Sequence, residues 1–269
     1  MYATRNRPTL VAFNTVQRLL RGDFFHAATR SDIRVALAEF PSDWKIAGLG
    51  TTNWFDRNGE IIIDGSTSEP RFLWADPLSE EPCAISDLTD TVLDRVFRSP
   101  SYADMDGVPS FPFAAVAAFG PTTPSTTWHP SAGDDLHSAI AWQCAAKNIG
   151  LAAVRVTGQL GSVEYQSMRR IPLGGASSER PVTPIVSRRN GISWQAFGFY
   201  TQNPTLQALL GFDGADVHLH GYGESARTGG HVNRAVIAEG AEVTVVPLKD
   251  FVLRIHGLDA ATLPVRDVA

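Results

Sequence analysis

The 269 residues are 43% hydrophobic and 19% charged, proportions that suit a chain with a sizeable core, and the length lies between one large domain and two small ones. A formal net charge of −5 leaves no basic excess to neutralise phosphates, which excludes nucleic acid as the main partner. Cys83 and Cys144 form no CxxC pair or disulfide framework, the N-terminus lacks the apolar run of a signal peptide, and no apolar stretch approaches the roughly 20 residues that span a bilayer. A reduced, cytoplasmic protein with no membrane partner is expected.

In chain order, Thr15–Arg21 reads as a short helix, with Val16, Leu19 and Leu20 on one side and Gly22 as its stop. Ile46–Phe55, Asp56-Arg57-Asn58-Gly59 and Glu60–Ile63 read as a β-hairpin, because Asn and Gly both tolerate positive φ. Asp87–Arg98 follows Ser86 as an N-cap and spaces Leu88, Val92 and Val96 on one helical face. Phe113–Phe119 reads as a strand. Asp134–Lys147 reads as a helix, with Leu136, Ile140 and Cys144 at four-residue steps and acid in its first turn. Strands are expected at Leu151–Thr157, Ser193–Tyr200, Asp216–His220, Val232–Ile237 and Glu242–Val246. The Pro/Gly/Ser-rich stretch Pro172–Pro181 reads as a linker. It divides the chain into an N-terminal α/β domain, 1–175, and a smaller β-rich domain, 176–269.

Three of the seven histidines fall within fourteen residues: His218, His220 and His231. Residues two apart on a strand point the same way, so His218 and His220 reach one point in space. The loop from Gly221 to Gly230 begins and ends in glycine, as a chain reversal requires. A symmetric hairpin sets His220 opposite His231, and cross-strand partners share a face. Three imidazoles with an open position are the pattern of a catalytic zinc site, although imidazole suits other divalent transition metals too. His26, His129, His137 and His256 have no such company. His218-Leu219-His220 with Glu224 is also similar to the first metal motif of cupins, but Pro247–His256 does not supply the second. Arg155 lies within the apolar strand Leu151–Val156, where its charge must find a carboxylate or a wet cleft.

His218-Leu219-His220, followed after a glycine-bearing loop by Gly229-Gly230-His231-Val232, resembles the zinc motif of acetolactate decarboxylases. Gly48–Asn53 with Asn58-Gly59-Glu60 resembles the family's first hairpin, Ala153–Gly158 its arginine-bearing strand, and Gly198–Thr201 the segment before its metal motif. The outline covers Asn14 to Leu263. The resemblance implies a strand-rich α/β fold of two mixed β-sheet parts with few helices, in a homodimer. It further implies a zinc-dependent carboxy-lyase acting on a small 2-hydroxy-3-oxo acid or β-keto acid such as 2-acetolactate, through a metal-stabilised enolate, with release of carbon dioxide. Arg155 would clamp the substrate carboxylate and Thr51 or Thr52 would place a hydroxyl near the metal.

Two departures from the family stand out. Where the family has a glutamate after an Asp-Gly pair in the first hairpin, Asp64-Gly65 is followed here by Ser66, with Glu69 three residues on. The family's second glutamate, from a longer C-terminal tail, has no counterpart in Pro264–Ala269. The stretch 74–110 is also longer than the family's connection. An isomerase or cyclase acting on a larger keto acid without decarboxylation, and a cupin-like metal protein or non-catalytic small-acid binder, therefore stand beside the decarboxylase reading.

Overall fold

The computed structural model describes residues 7–15, 36, 38–41, 45–51, 59–64, 71–76, 83–87, 113–170, 182–212 and 214–256. Those residues form thirteen strands and two helices, a strand-rich α/β fold. The first sheet comprises β1 (Thr9–Thr15), β2 (Lys45–Thr51), β3 (Glu60–Asp64), β4 (Arg71–Asp76), β5 (Ala84–Asp87), β6 (Phe113–Phe119) and the returning β13 (Asp250–His256). Their order is β13-β1-β6-β2-β3-β4-β5. The second contains β7 (Thr126–Trp128), β8 (Leu151–Arg170), β9 (Val182–Thr201), β10 (Val217–Gly223), β11 (Thr228–Ile237) and β12 (Glu242–Pro247). One residue pair, Ala84 with Thr228, joins the two in hydrogen-bonded order.

The second sheet closes on itself. β8 pairs with β9 along their whole lengths, and β10 with β9. The first half of β11 pairs with β10 from His231 to Thr228, and its second half swings away to pair with β8 from Val232 to Ile237. β12 and β7 continue from the outer edge of β8.

Three apolar layers follow from strand alternation. On one face of the first sheet Ile61, Ile63, Phe72, Trp74, Val11 and Val116 pack together. The opposite face meets the second sheet, through Ile62, Leu73, Phe197 and Tyr222 at one end and Leu10, Ala115, Ala153 and Phe199 at the other. Strands β3 and β6 are buried on both faces, which explains the unbroken apolar runs Ile61–Ile63 and Ala114–Ala118. The far face of the second sheet packs on α1 (Leu136–Ala146), whose Leu136, Ile140 and Cys144 are the buried row. Asp135 caps it by accepting from the Ser138 N–H at 2.9 Å. The second helix, α2 (Pro204–Leu210), starts from an Asn203 cap with Pro at N1 and stops at Gly211, whose φ of 71° is left-handed.

Several expectations change in detail. Thr15 ends β1, held parallel against β13, instead of opening a helix, and 16–21 lie outside the described residues. Asp87 closes β5, and the rest of the helix expected to Arg98 lies outside them as well. So do Ser66, Glu69, most of 74–110 and the 172–181 linker, on either side of which β8 and β9 pair directly. The expected strands at 151–157 and 193–200 are halves of twenty-residue strands. Among the described residues no helix is long and apolar enough to cross a membrane.

Candidate metal centre

β10 sets His218 and His220 on one face, and the hairpin places His220 opposite His231. The three rings stand 4.8–5.4 Å apart between centroids, and one nitrogen from each lies within 4.8 Å of the others. His218 and His220 are buried and His231 is half-buried.

Backbone carbonyls orient the buried pair. His218 Nδ1 meets the Leu210 carbonyl at the end of α2 at 3.0 Å, and His220 Nδ1 meets the Ile61 carbonyl of β3 at 2.9 Å. A carbonyl only accepts, so each Nδ1 donates and carries the ring proton. Each Nε2 is then a lone pair, and the two stand 3.0 Å apart. Two facing lone pairs repel unless a cation lies between them. Tetrahedral zinc, with nitrogens at about 2.0–2.1 Å, holds its ligand nitrogens roughly 3.3 Å apart, close to the spacing seen. The donor set fits a divalent metal.

The protonation states agree. Burial, then the neighbouring His231, hold His220 well below the usual imidazole range, against the pull of the Ile61 carbonyl. Burial, then His137, bring His231 down to about 4. Both are neutral at neutral pH, the form that ligates a metal.

A fourth group completes the arrangement. Glu60, the first residue of β3, is buried, with Oε2 at 3.5 Å from His220 Nε2. Alternation explains its aim: Glu60, Ile62 and Asp64 share the face of β3 turned toward the second sheet. Glu60 meets His220 there, Ile62 packs with Phe197, and Asp64 accepts a 2.7 Å hydrogen bond from the Tyr222 hydroxyl. The fully buried Ser167 of β8 fixes the start of β3. Its hydroxyl accepts from the Glu60 N–H at 3.3 Å and donates to the Ala75 carbonyl at 2.6 Å.

Ser66 and Glu69 lie outside the described residues, and the carboxylate that stands beside the histidines is Glu60, which the sequence reading passed over. The signal was present: a carboxylate directly after Asn58-Gly59, heading an Ile-Ile-Ile run. Thr51 is the register partner of Glu60 across β2 and β3. Arg155 lies in a row with Phe197 and His220 across β8, β9 and β10, so it shares the histidine face about 10 Å away. Its side chain is exposed. Glu224 is exposed and ion-paired to Arg71, away from the histidines. His129 meets the Ala241 carbonyl.

The model of the family described as alpha-acetolactate decarboxylase matches residues 95–260, a span that contains all three histidines and Arg155. The chain belongs to the alpha-acetolactate decarboxylase family. Among solved structures it is similar to acetolactate decarboxylase from Bacillus subtilis subspecies spizizenii, at 20% identity and a TM-score of 0.62 over 93% of this chain and 90% of that one. The enzyme from Bacillus subtilis strain 168 gives 18% and 0.60 over 93% and 90%. A Staphylococcus aureus protein described as similar to alpha-acetolactate decarboxylase gives 17% and 0.60 over 92% and 89%. At these identities the likeness establishes the fold. No curated protein matches the sequence. Family membership and fold together set the cupin reading aside and support a decarboxylase-like protein.

Proposed function

We propose that this family member is a metal-dependent carboxy-lyase that decarboxylates a 2-hydroxy-3-oxo acid of the 2-acetolactate type. The observation that carries the reading is the facing pair of Nε2 lone pairs on His218 and His220, with a carboxylate oxygen of Glu60 against one of them. A divalent ion held by His218, His220 and His231, zinc or another transition metal, would supply Lewis acidity toward the ketone and hydroxyl oxygens.

The chain's own groups handle the rest. In the reaction the bond between the carboxylate carbon and C2 breaks, carbon dioxide leaves, and the electron pair passes to the ketone oxygen as an enolate. A proton must then be delivered to C2. Glu60 is the acid placed to hold and return that proton, since its Oε2 borders the same histidine cluster. Arg155, on the same sheet face, offers a planar fork to the substrate carboxylate before it is lost. The isomerase and cyclase alternatives lean on two missing acids, and a carboxylate at Glu60 would stand in for the first of them.

The test pairs metal content of the purified protein with an assay for acetoin and carbon dioxide on racemic 2-acetolactate. About one divalent ion per chain and stoichiometric release of both products are expected. Metal without either product would move the reaction elsewhere, and protein that binds no metal would overturn the site.

A further inference from the structure

Where β11 changes partner from β10 to β8 lies a cleft of about 780 Å³. His218 and Val217 line one side, His231, Val232 and Asn233 the other, and the N-terminal turn of α1 lies across it. The volume falls within the range of about 300–1,000 Å³ that takes drug-sized ligands, and an acid as small as 2-acetolactate fills only part of it.

The walls have a definite chemistry. Asp135 and Asp216 are the acids, and the one lining guanidinium, Arg234, already lies 4.0 Å from Asp135. Asp216 accepts from the side-chain amides of Gln207 and Gln202. Among the described lining residues a second anionic group would meet two carboxylates and a single guanidinium that already faces one of them. Neutral hydrogen-bonding groups are better served. The Asn233 amide donates to Gln166 Oε1 at 3.1 Å, which leaves the Asn233 oxygen as an acceptor and the Gln166 NH₂ as a donor group for a ligand. His137 adds an imidazole to the same wall. Phe212, Ala141 and Val217 supply the apolar part.

We propose that this cleft is the subsite for a neutral, hydroxylated or amide-bearing extension of the substrate, so that the natural substrate is a 2-hydroxy-3-oxo acid larger than 2-acetolactate. The inference rests on the decarboxylase reading for the reacting end of the molecule and adds the identity of the other end. The extension runs away from the histidines between α1 and the start of β10, with Asn233, Gln166 and His137 reading its polar groups.

The experiment compares zinc-loaded full-length protein on three probes: 2-acetolactate, its homologue with a hydroxypropyl chain at the ketone end, and an equally long homologue ending in a carboxylate. The hydroxylated probe is expected to exceed 2-acetolactate in kcat/KM by about tenfold, with the carboxylated probe below both. Ala141→Trp, which fills the cleft, and Asn233→Leu, which removes a polar contact without adding bulk to the core, should each lower kcat/KM for the hydroxylated probe by about tenfold at unchanged zinc stoichiometry. Equal treatment of all three probes by wild type and both variants would overturn the subsite. If no probe is decarboxylated, the decarboxylase reading falls. Binding of the hydroxylated probe with its ketone reduced then decides the subsite separately: weakening of about tenfold in both variants supports it, and unchanged affinity rejects it.

Discussion

A carboxylate at the head of a strand buried on both faces needs a cation or hydrogen bonds, because an unpaired buried charge costs several kcal/mol. Glu60 stands in that position beside His220 Nε2. If it moves the proton, its charge and its shape separate in a mutant. Glu60→Gln should keep about one metal per chain and lower acetoin formation by roughly 10²–10⁴, the usual contribution of a positioned acid or base. Measuring metal content and turnover on one preparation checks this, and unimpaired turnover would remove Glu60 from the chemistry. Arg155 calls for a different readout. As a carboxylate clamp it acts on binding and orientation, so Arg155→Gln should raise KM for 2-acetolactate by about tenfold or more while metal content stays intact. A KM within error of wild type would return Arg155 to the solvated surface.

At the level of elements, the histidines depend on how closely β9 approaches β10. A Cβ on Gly198 would fall 1.9 Å from the His218 carbonyl oxygen, so any side chain there must drive the strands apart beside the metal ligand. Gly198→Ala should therefore lower zinc affinity by at least about tenfold and cost about 1–3 kcal/mol in stability, read by metal titration and thermal unfolding. Ser167 makes a subtler test, because its hydroxyl bridges β8 to the Glu60 N–H and the Ala75 carbonyl. Ser167→Ala should reduce turnover more than metal binding. This hairpin was the legible part of the sequence. Glycines bound its loop, and one register puts His220 against His231. Glu60 was harder to see, since its partner lies 160 positions away and β3, buried on both faces, shows no alternation. β4 and β13 escaped for a related reason. Runs such as Phe72-Leu73-Trp74 and Phe251-Val252-Leu253 show no alternation, and their strand character comes from neighbours distant in the chain. α2 was readable from the Asn203-Pro204 start and the Gly211 stop, and was overlooked because it is only seven residues long.

Across the whole molecule, the two sheets meet through the same strand faces that build the metal centre, so the fold and the site share one protonation balance. His220 and His231 are neutral in the folded protein, the latter down to about pH 4, whereas the unfolded chain binds a proton on each near pH 6.5. Between those limits the unfolded state holds more protons, so stability of the metal-free protein rises with pH and falls on acidification. Burial lowers His137 as well, which acts in the same direction. A bound metal opposes the loss by mass action, adding about 4 kcal/mol when its free concentration is 1,000 times Kd. The thermal midpoint of metal-free protein should thus drop steadily from pH 7.5 to 5, above the range where most carboxylates titrate. The drop should shrink in His231→Gln, which removes the half-buried imidazole of the set. Zinc should raise the midpoint by a similar amount from pH 7 to 5, because imidazoles that stay neutral in the folded protein leave few protons to compete for the same nitrogens. A midpoint that stays level or climbs on acidification without metal would mean that these imidazoles are solvated and charged, and the argument for a preformed, neutral ligand set would fail with it.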